Sequence, residues 1–263
     1  MAFSTTLLDS LEAIDIDPIH RNVLAALATV VYVKAVVGTC EYLVARSILA
    51  PKISRKCIHM AAGSWIVFWP CFDTAHWTWR LNVLVPAVYT VQLFVKGAIL
   101  KNPNDPDVLT MTRTGSPEEL LNGPIIFTII MCIVGLRLYR TQLGVVLMAC
   151  LGYGDGIAPL VGYYFPCGTH YPTFPFGPNN KKTLTGSLGC YVASLAGYSL
   201  LKELILDSER EFSSGADELS MMMRVAAMVA VTEGISGEYD NPCIALMVTL
   251  AYSFVVVPHE VHT

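Results

Sequence analysis

Eight blocks of mainly apolar sequence limit what this chain can become: residues 22–45, 58–72, 81–100, 123–138, 143–165, 187–206, 219–235 and 242–258. A bilayer hydrocarbon core about 30 Å thick takes about 20 apolar residues of helix, within a range of about 17–25. Inside that core every backbone N–H and C=O must be satisfied within its own segment, so such blocks are expected to be helices. Blocks 58–72 and 123–138 are short, which puts the expected number of spans at about six to eight, some of them tilted or re-entrant. Composition agrees. The chain is 54% hydrophobic and 14% charged, whereas soluble domains average about 45–50% apolar and about 25% charged residues. The expected fold is all-α, a polytopic membrane helix bundle. Residues 1–21 form a short N-terminal segment, 22–258 a single membrane-embedded domain and 259–263 a C-terminal tail. No internal repeat or low-complexity tract interrupts it.

Charge excludes some functions and leaves orientation open. A net charge of −4 offers no basic footprint for nucleic acid. Residues 1–20 hold Asp9, Glu12, Asp15 and Asp17 without Lys or Arg, unlike basic secretory leaders or Arg-rich transit peptides. If all eight blocks span, segments 46–57, 101–122, 166–186 and 233–241 share one face. That face carries eight Lys and Arg against seven opposite, too small a bias to orient the chain. The connection 207–218, rich in Asp and Glu, reads as solvated. The eight cysteines include no C-x-x-C pair and sit mostly in apolar runs, as small buried hydrophobes do. Lys34 and Glu41, seven apart in the first block, share a helix face and are expected to form an ion pair.

The fifth block carries an acid, Asp155, within GYGDG (152–156). An acid at the bilayer centre costs about 2.5–3.5 kcal/mol on insertion scales, so ionisable residues there are commonly functional. Glycines on both sides allow close backbone approach, and a carboxylate so placed suits Mg²⁺, which takes one or two carboxylates plus phosphates and water. The competing reading is a helix-packing site with Asp155 neutral or paired to a lysine. Some 25 residues on, FGPNNKKTLTGS (176–187) sets Lys181, Lys182, Thr183, Thr185, Gly186 and Ser187 before a helix. Helix N-termini bind anions through free N–H groups, and lysine adds a point charge. This is not a Walker A loop. Taken alone, it reads equally well as a basic loop touching headgroups.

Three further segments share the same expected face. ISRKCIHM (53–60) puts Arg55 and Lys56 at a membrane edge with His59 one turn inside; interfacial anchoring is the plainer account. In MTRTGSPEELLNGP (111–124), Ser116 is placed to cap, Pro117 suits the first helical position, and Glu118 and Glu119 suit the first turn, leaving Arg113 unexplained. In VTEGISGEYDNP (231–242), Glu233 closes one span and Asp240 opens the next, so the two acids could share a metal or position a hydroxyl.

The five segments SRKCIHMAAG, TRTGSPEELLNGP, GYGDGIAPLVG, KKTLTGS and TEGISGEYDN, in that order, resemble the polyprenol kinase group, most closely phytol kinases and their farnesol-kinase relatives. The likeness runs from Ser54 to Pro258. Dolichol kinases and CTP:phosphatidate cytidylyltransferases share only the Gly-Asp segment and the Lys-Thr-x-x-Gly loop. The resemblance implies phosphoryl transfer from CTP or another nucleoside triphosphate, with Mg²⁺, to the hydroxyl of a bilayer-dissolved isoprenoid alcohol, in a plastid membrane rather than the endoplasmic reticulum. On that basis Asp155 and Asp240 are the metal ligands. Asp155, Glu233, Asp240 and Lys182 are the catalytic set. Arg55, Lys56, Arg113, Gly154, Gly156, Lys181, Lys182, Thr183, Thr185, Gly186 and Ser187 surround the nucleotide. Departures from the pattern occur where Pro159 follows Ala158 and Tyr163 follows Gly162, in place of a second acid and a basic residue. The stretch before Lys181 is also long and rich in aromatics, among them Tyr171, Phe174 and Phe176. Two alternatives stay open: cytidylyl transfer to a phospholipid, and a membrane protein without enzymatic activity.

Overall fold

The computed structural model describes residues 16–166, 170–173, 181–206 and 215–260. The acidic N-terminus through Asp15, Cys167, Phe174, Phe176, the stretch 207–214 and residues 261–263 lie outside that description. The chain divides into two compact units. One runs through Arg140 and takes in Leu201–Leu206; the other holds Thr141–Leu200 and the chain beyond Asp207. Both are built of helices. Six of these, Pro18–Ala45, Trp77–Leu100, Pro117–Arg137, Gln142–Tyr164, Leu184–Ile205 and Gly215–Ser236, are long and apolar enough to cross a membrane. The expected all-α membrane fold is the one observed.

In the first unit, helix α1 (Pro18–Ala45) starts where Asp17 accepts hydrogen bonds from the Ile19 and His20 N–H groups, with Pro18 in the first helical position. Asn22, Ala25, Ala26, Thr29, Val33, Val37 and Cys40 form its buried stripe, while Leu24, Leu27 and Val31 face outward. That is the pattern of a helix wet by lipid on one side and packed on the other. The expected span 58–72 is not one continuous helix. Helix α2 (Pro51–Gly63) tightens into 3-10 turns over Ser64–Cys71, with Pro70 inside. Trp65, Ile66, Trp69 and Phe72 are buried there, and Tyr139 donates to the Trp69 carbonyl at 2.8 Å.

The Trp77–Leu100 span is helix α3 (Leu84–Phe94) entered by a 3-10 turn and closed by a wide π turn, Val95–Leu100. Lys96 donates to Asp105 at 2.8 Å and to Asp107 at 2.6 Å, and Gln92 donates to Asp107 at 2.7 Å. These bonds hold the short helix α4 (Pro106–Met111) against the span. The expected Lys34–Glu41 pair is replaced by another contact: the Lys34 ammonium lies over the Tyr89 ring, 5.3 Å from its centroid. Ser116 does not cap the 3-10 turn Pro117–Leu121 but donates to Glu118 at 2.6 Å. Glu119 folds back to accept the N–H groups of Arg113 and Thr114, closing the loop around Gly115, whose φ is +82°. Helix α5 (Gly123–Arg137) completes the unit.

The second unit holds a continuous helical run, Gln142–Tyr164, the most deeply buried of the six spans. It comprises helix α6 (Gln142–Met148), a π turn (Ala149–Gly154) and helix α7 (Asp155–Tyr164). A two-stranded hairpin, β1 (His170–Pro172) with β2 (Lys181–Thr183), leads into helix α8 (Leu184–Ile205). Helix α9 (Gly215–Ser236) and helix α10 (Asp240–Glu260) pack along each other. Glu218, expected in the solvated connection, is instead 6% exposed on α9. It accepts from Tyr198 at 2.5 Å; Tyr198 in turn accepts from Gln142 at 2.6 Å, and Tyr252 donates to Gln142 at 3.3 Å. One residue from each of α6, α8, α9 and α10 thus joins a single buried chain of hydrogen bonds.

Apolar burial drives helix association weakly in lipid, so such bonds set helix register at about 0.6 kcal/mol each, up to about 1.7. Tyr198→Phe and Glu218→Gln are each expected to lower stability by about 1 kcal/mol, read as a reduced unfolding midpoint in detergent. Unchanged midpoints in both variants would show that the chain of bonds contributes no stability.

Candidate functional site

Asp155 leaves the π turn as the first residue of α7 and is 2% exposed. The extra residue in a π turn shifts side-chain direction, a device common at functional sites. Gly154, just before it, touches α8: a Cβ there would run into Ser194 Oγ and approach Cys190 Sγ to 3.3 Å. A Cβ on Gly162 would lie 2.5 Å from Thr183 Oγ1, and one on Gly186 would lie 3.1 Å from the Ala158 carbonyl oxygen. These glycines let the start of α8 lie directly on α7. Thr183 caps α8 by accepting from the Gly186 N–H at 3.1 Å, with the Thr185 hydroxyl donating to it at 3.3 Å. Lys182, one residue earlier, is thereby aimed inward.

The other half of the site is the corner between α9 and α10. A 3-10 turn, Gly237–Tyr239, reverses the chain, and Gly237 takes φ +58°, open to glycine at little cost. Glu233 lies in the last turn of α9, and Asp240 is the first residue of α10. Lys182 Nζ donates to Glu233 Oε1 at 2.6 Å, to the Glu233 carbonyl oxygen at 2.5 Å and to Asp240 Oδ1 at 2.9 Å. Ser236 Oγ also donates to Asp240 Oδ1, at 2.6 Å. Asp155 completes the group. One ligand oxygen from each of Asp155, Glu233 and Asp240 lies within 4.8 Å of the others.

Burial alone would push the Lys182 ammonium towards its neutral form. Asp240 and Glu233, with Asp155 behind them, overcome this and raise its pKa above the ordinary lysine value. The stability that follows from this shift is complete at neutral pH. It is lost only as pH rises through the raised folded-state value. Three acids against one lysine leave negative charge in a buried place, and their hard oxygens suit Mg²⁺ with phosphate and water. The donor set therefore fits a divalent cation.

The sequence-predicted residues fall into two sets. Asp155, Glu233, Asp240 and Lys182 come together within the second unit. Thr183, Thr185, Gly186 and Ser187 form the first turn of α8 and its cap beside them, and Gly156 is buried in the first turn of α7. Gly154 meets α8 across the same contact. Lys181 pairs through its backbone with Pro172. Arg55, Lys56 and Arg113 belong to the first unit. There Lys56 is 5% exposed on α2, and His59 stacks on Phe127 with centroids 4.0 Å apart. Pro159 is accommodated inside α7. Sequence reasoning missed Ser236 and Tyr171. Ser236 was detectable, three residues after Glu233 and four before Asp240 on a helical path. The placement of Tyr171 is set by contacts remote in sequence. Its hydroxyl hydrogen-bonds Ser187 Oγ.

No protein-family model and no solved structure matches this chain. Among curated proteins it is 29% identical over 234 residues to the probable chloroplastic phytol kinase 1 of Glycine max, covering 86% of this chain and 74% of that one. It is 26% identical over 248 residues to the chloroplastic phytol kinase 1 of Arabidopsis thaliana, covering 91% and 78%. It is 26% identical over 210 residues to the chloroplastic farnesol kinase of Arabidopsis thaliana, covering 78% and 66%. Likeness of this extent to both kinds of prenol kinase supports assignment of the chain to the polyprenol kinase family.

Proposed function

We propose that this protein is an isoprenoid-alcohol kinase of a plastid membrane. It transfers the terminal phosphoryl group of CTP to the hydroxyl of phytol, geranylgeraniol or farnesol. The observation that carries this reading is the buried group Asp155, Glu233 and Asp240 closed by Lys182. Glu233 and Asp240 lie at helix ends, where a nucleotide from water would meet an alcohol dissolved in lipid. The plastid assignment follows the chloroplastic names of the relatives.

Phosphoryl transfer needs positioning and charge neutralisation more than covalent catalysis. Asp155 and Asp240 would hold Mg²⁺, which when bound would screen the phosphate charge. Lys182 and the first turn of α8, with Thr183, Thr185, Gly186 and Ser187, bind the phosphates. Lys181 adds charge to that loop. Glu233 orients the alcohol and takes its proton as the oxygen bonds to the terminal phosphorus. The bond from that phosphorus to the bridging oxygen breaks, and CDP leaves.

Asp155→Asn, Lys182→Ala and Glu233→Gln are each expected to reduce turnover about 10³-fold or more while the folded protein is retained. The assay incubates purified protein in detergent with Mg²⁺, phytol, geranylgeraniol or farnesol, and CTP labelled at the gamma position. Label must appear in an organic-soluble prenyl phosphate. Lipid label from alpha-labelled CTP alone would mean cytidylyl transfer, and full activity in the variants would remove the site assignment.

Metal binding gives a separate test. Mn²⁺ affinity, measured by electron paramagnetic resonance without nucleotide, is expected to fall at least about 10-fold in Asp155→Asn and in Asp240→Asn. Equal affinity in wild type and both variants would place the metal elsewhere.

A further inference from the structure

Tyr171 belongs to the aromatic-rich stretch that departs from the family pattern, yet three parts of the site meet at it. In the hairpin it stands directly opposite Lys182. Opposed residues in an antiparallel pair project to the same face, so Tyr171 flanks the lysine that bridges Glu233 and Asp240. Its hydroxyl hydrogen-bonds Ser187 Oγ in the first turn of α8. The same hydroxyl lies over Gly234: a Cβ there would be 2.5 Å from it and 3.2 Å from Ser187 Oγ. Gly234 follows Glu233 directly, so one phenol contacts the strand of the lysine, the serine of the proposed phosphate loop and the backbone beside the proposed base.

We infer that Tyr171 is a positioning residue of the phosphoryl-donor site, acting through Ser187. The inference rests on the functional reading above. A serine hydroxyl rotates freely, and only some rotations present it to an anion. The Tyr171 hydroxyl fixes that rotation, and the missing side chain at Gly234 leaves room for it. Through Ser187, Tyr171 touches the proposed phosphate loop. Tyr171 therefore supplies part of the proposed nucleotide site.

The test uses the full chain in detergent, with CTP varied at saturating phytol and Mg²⁺, beside equilibrium CTP binding. Tyr171→Phe keeps the ring and removes the hydroxyl. It is expected to raise the KM and Kd for CTP about 3- to 10-fold, the range of one neutral hydrogen bond. Turnover number, KM for phytol and unfolding midpoint should stay at wild-type values. Ser187→Ala should raise the KM for CTP by a similar factor, and the double variant should be no worse than Ser187→Ala alone. Gly234→Ala, which crowds the hydroxyl without deleting it, should raise the KM for CTP in the wild-type background and less so with Phe at 171. Wild-type CTP affinity in Tyr171→Phe, or effects that multiply in the double variant, would overturn the inference. So would a lowered unfolding midpoint with unchanged CTP affinity. An Asp155→Asn variant with full turnover would instead defeat the underlying site assignment. Inactive Asp155→Asn alongside unaffected Tyr171→Phe would defeat the role of Tyr171 alone.

Discussion

The second unit depends on a charge problem and its local solution. Asp155, Glu233 and Asp240 are drawn together where little water reaches, and carboxylates so placed repel one another and lose hydration. Lys182 compensates with three hydrogen bonds, two to side chains and one to a carbonyl. The Ser236 hydroxyl supplies another to Asp240. A single cation against three acids is an incomplete neutralisation. Replacing buried ion clusters by hydrophobic residues is often neutral or stabilising, so stability alone does not call for this one. The arrangement is therefore better explained by what it can bind than by what it stabilises.

Close packing makes the cluster possible. Lys182 reaches α9 and α10 only because α8 begins almost in contact with α7, and Gly154, Gly162 and Gly186 permit that approach. Gly189 and Gly197 continue it, meeting Val161 and Tyr153. Small residues at helix contacts are how bundles in lipid gain dispersion energy in place of a hydrophobic drive. The two readings of the Gly-Asp segment, packing and chemistry, are therefore not alternatives. Gly154 packs this segment against α8, and that packing, with Gly162 and Gly186, delivers Lys182 to the acids around Asp155.

Length and hydropathy made the helical class and most span positions legible, because a bilayer demands long apolar helices. Where 58–72 breaks into 3-10 turns around Pro70, the tightening follows from packing of Trp65 and Trp69 that no apolar count reveals. Glu218 was misread because an acid near other acids looks solvated, whereas Tyr198 satisfies it in the interior. The pairing of Glu233 with Asp240 was legible from residue types and helix ends, and the addition of Asp155 and Lys182 from the motifs shared with the polyprenol kinases. The role of Tyr171 was not, since it depends on a hairpin register and on the empty space above Gly234. Contacts distant in sequence leave no local pattern, whereas caps, spans and turns do.

A comparison within the chain separates structural from functional use of the same chemistry. Lys96 also bridges two acids, Asp105 and Asp107, at 2.8 and 2.6 Å. Those acids are 9 and 11 residues away, and Asp105 doubles as the N-cap of α4 by accepting from the Asp107 N–H. That cluster closes a short loop at the end of a span, a local task completed by its own residues. Lys182 bridges acids 51 and 58 residues away and leaves Asp155 facing the same group. Closing so large a loop costs more chain entropy than closing a short one. Nothing in local folding requires that expense, and a lysine on two neighbouring acids already satisfies a helix end in the first unit. The excess negative charge at Asp155, Glu233 and Asp240 is what remains to be explained, and the proposed function would account for it with a cation carrying phosphates.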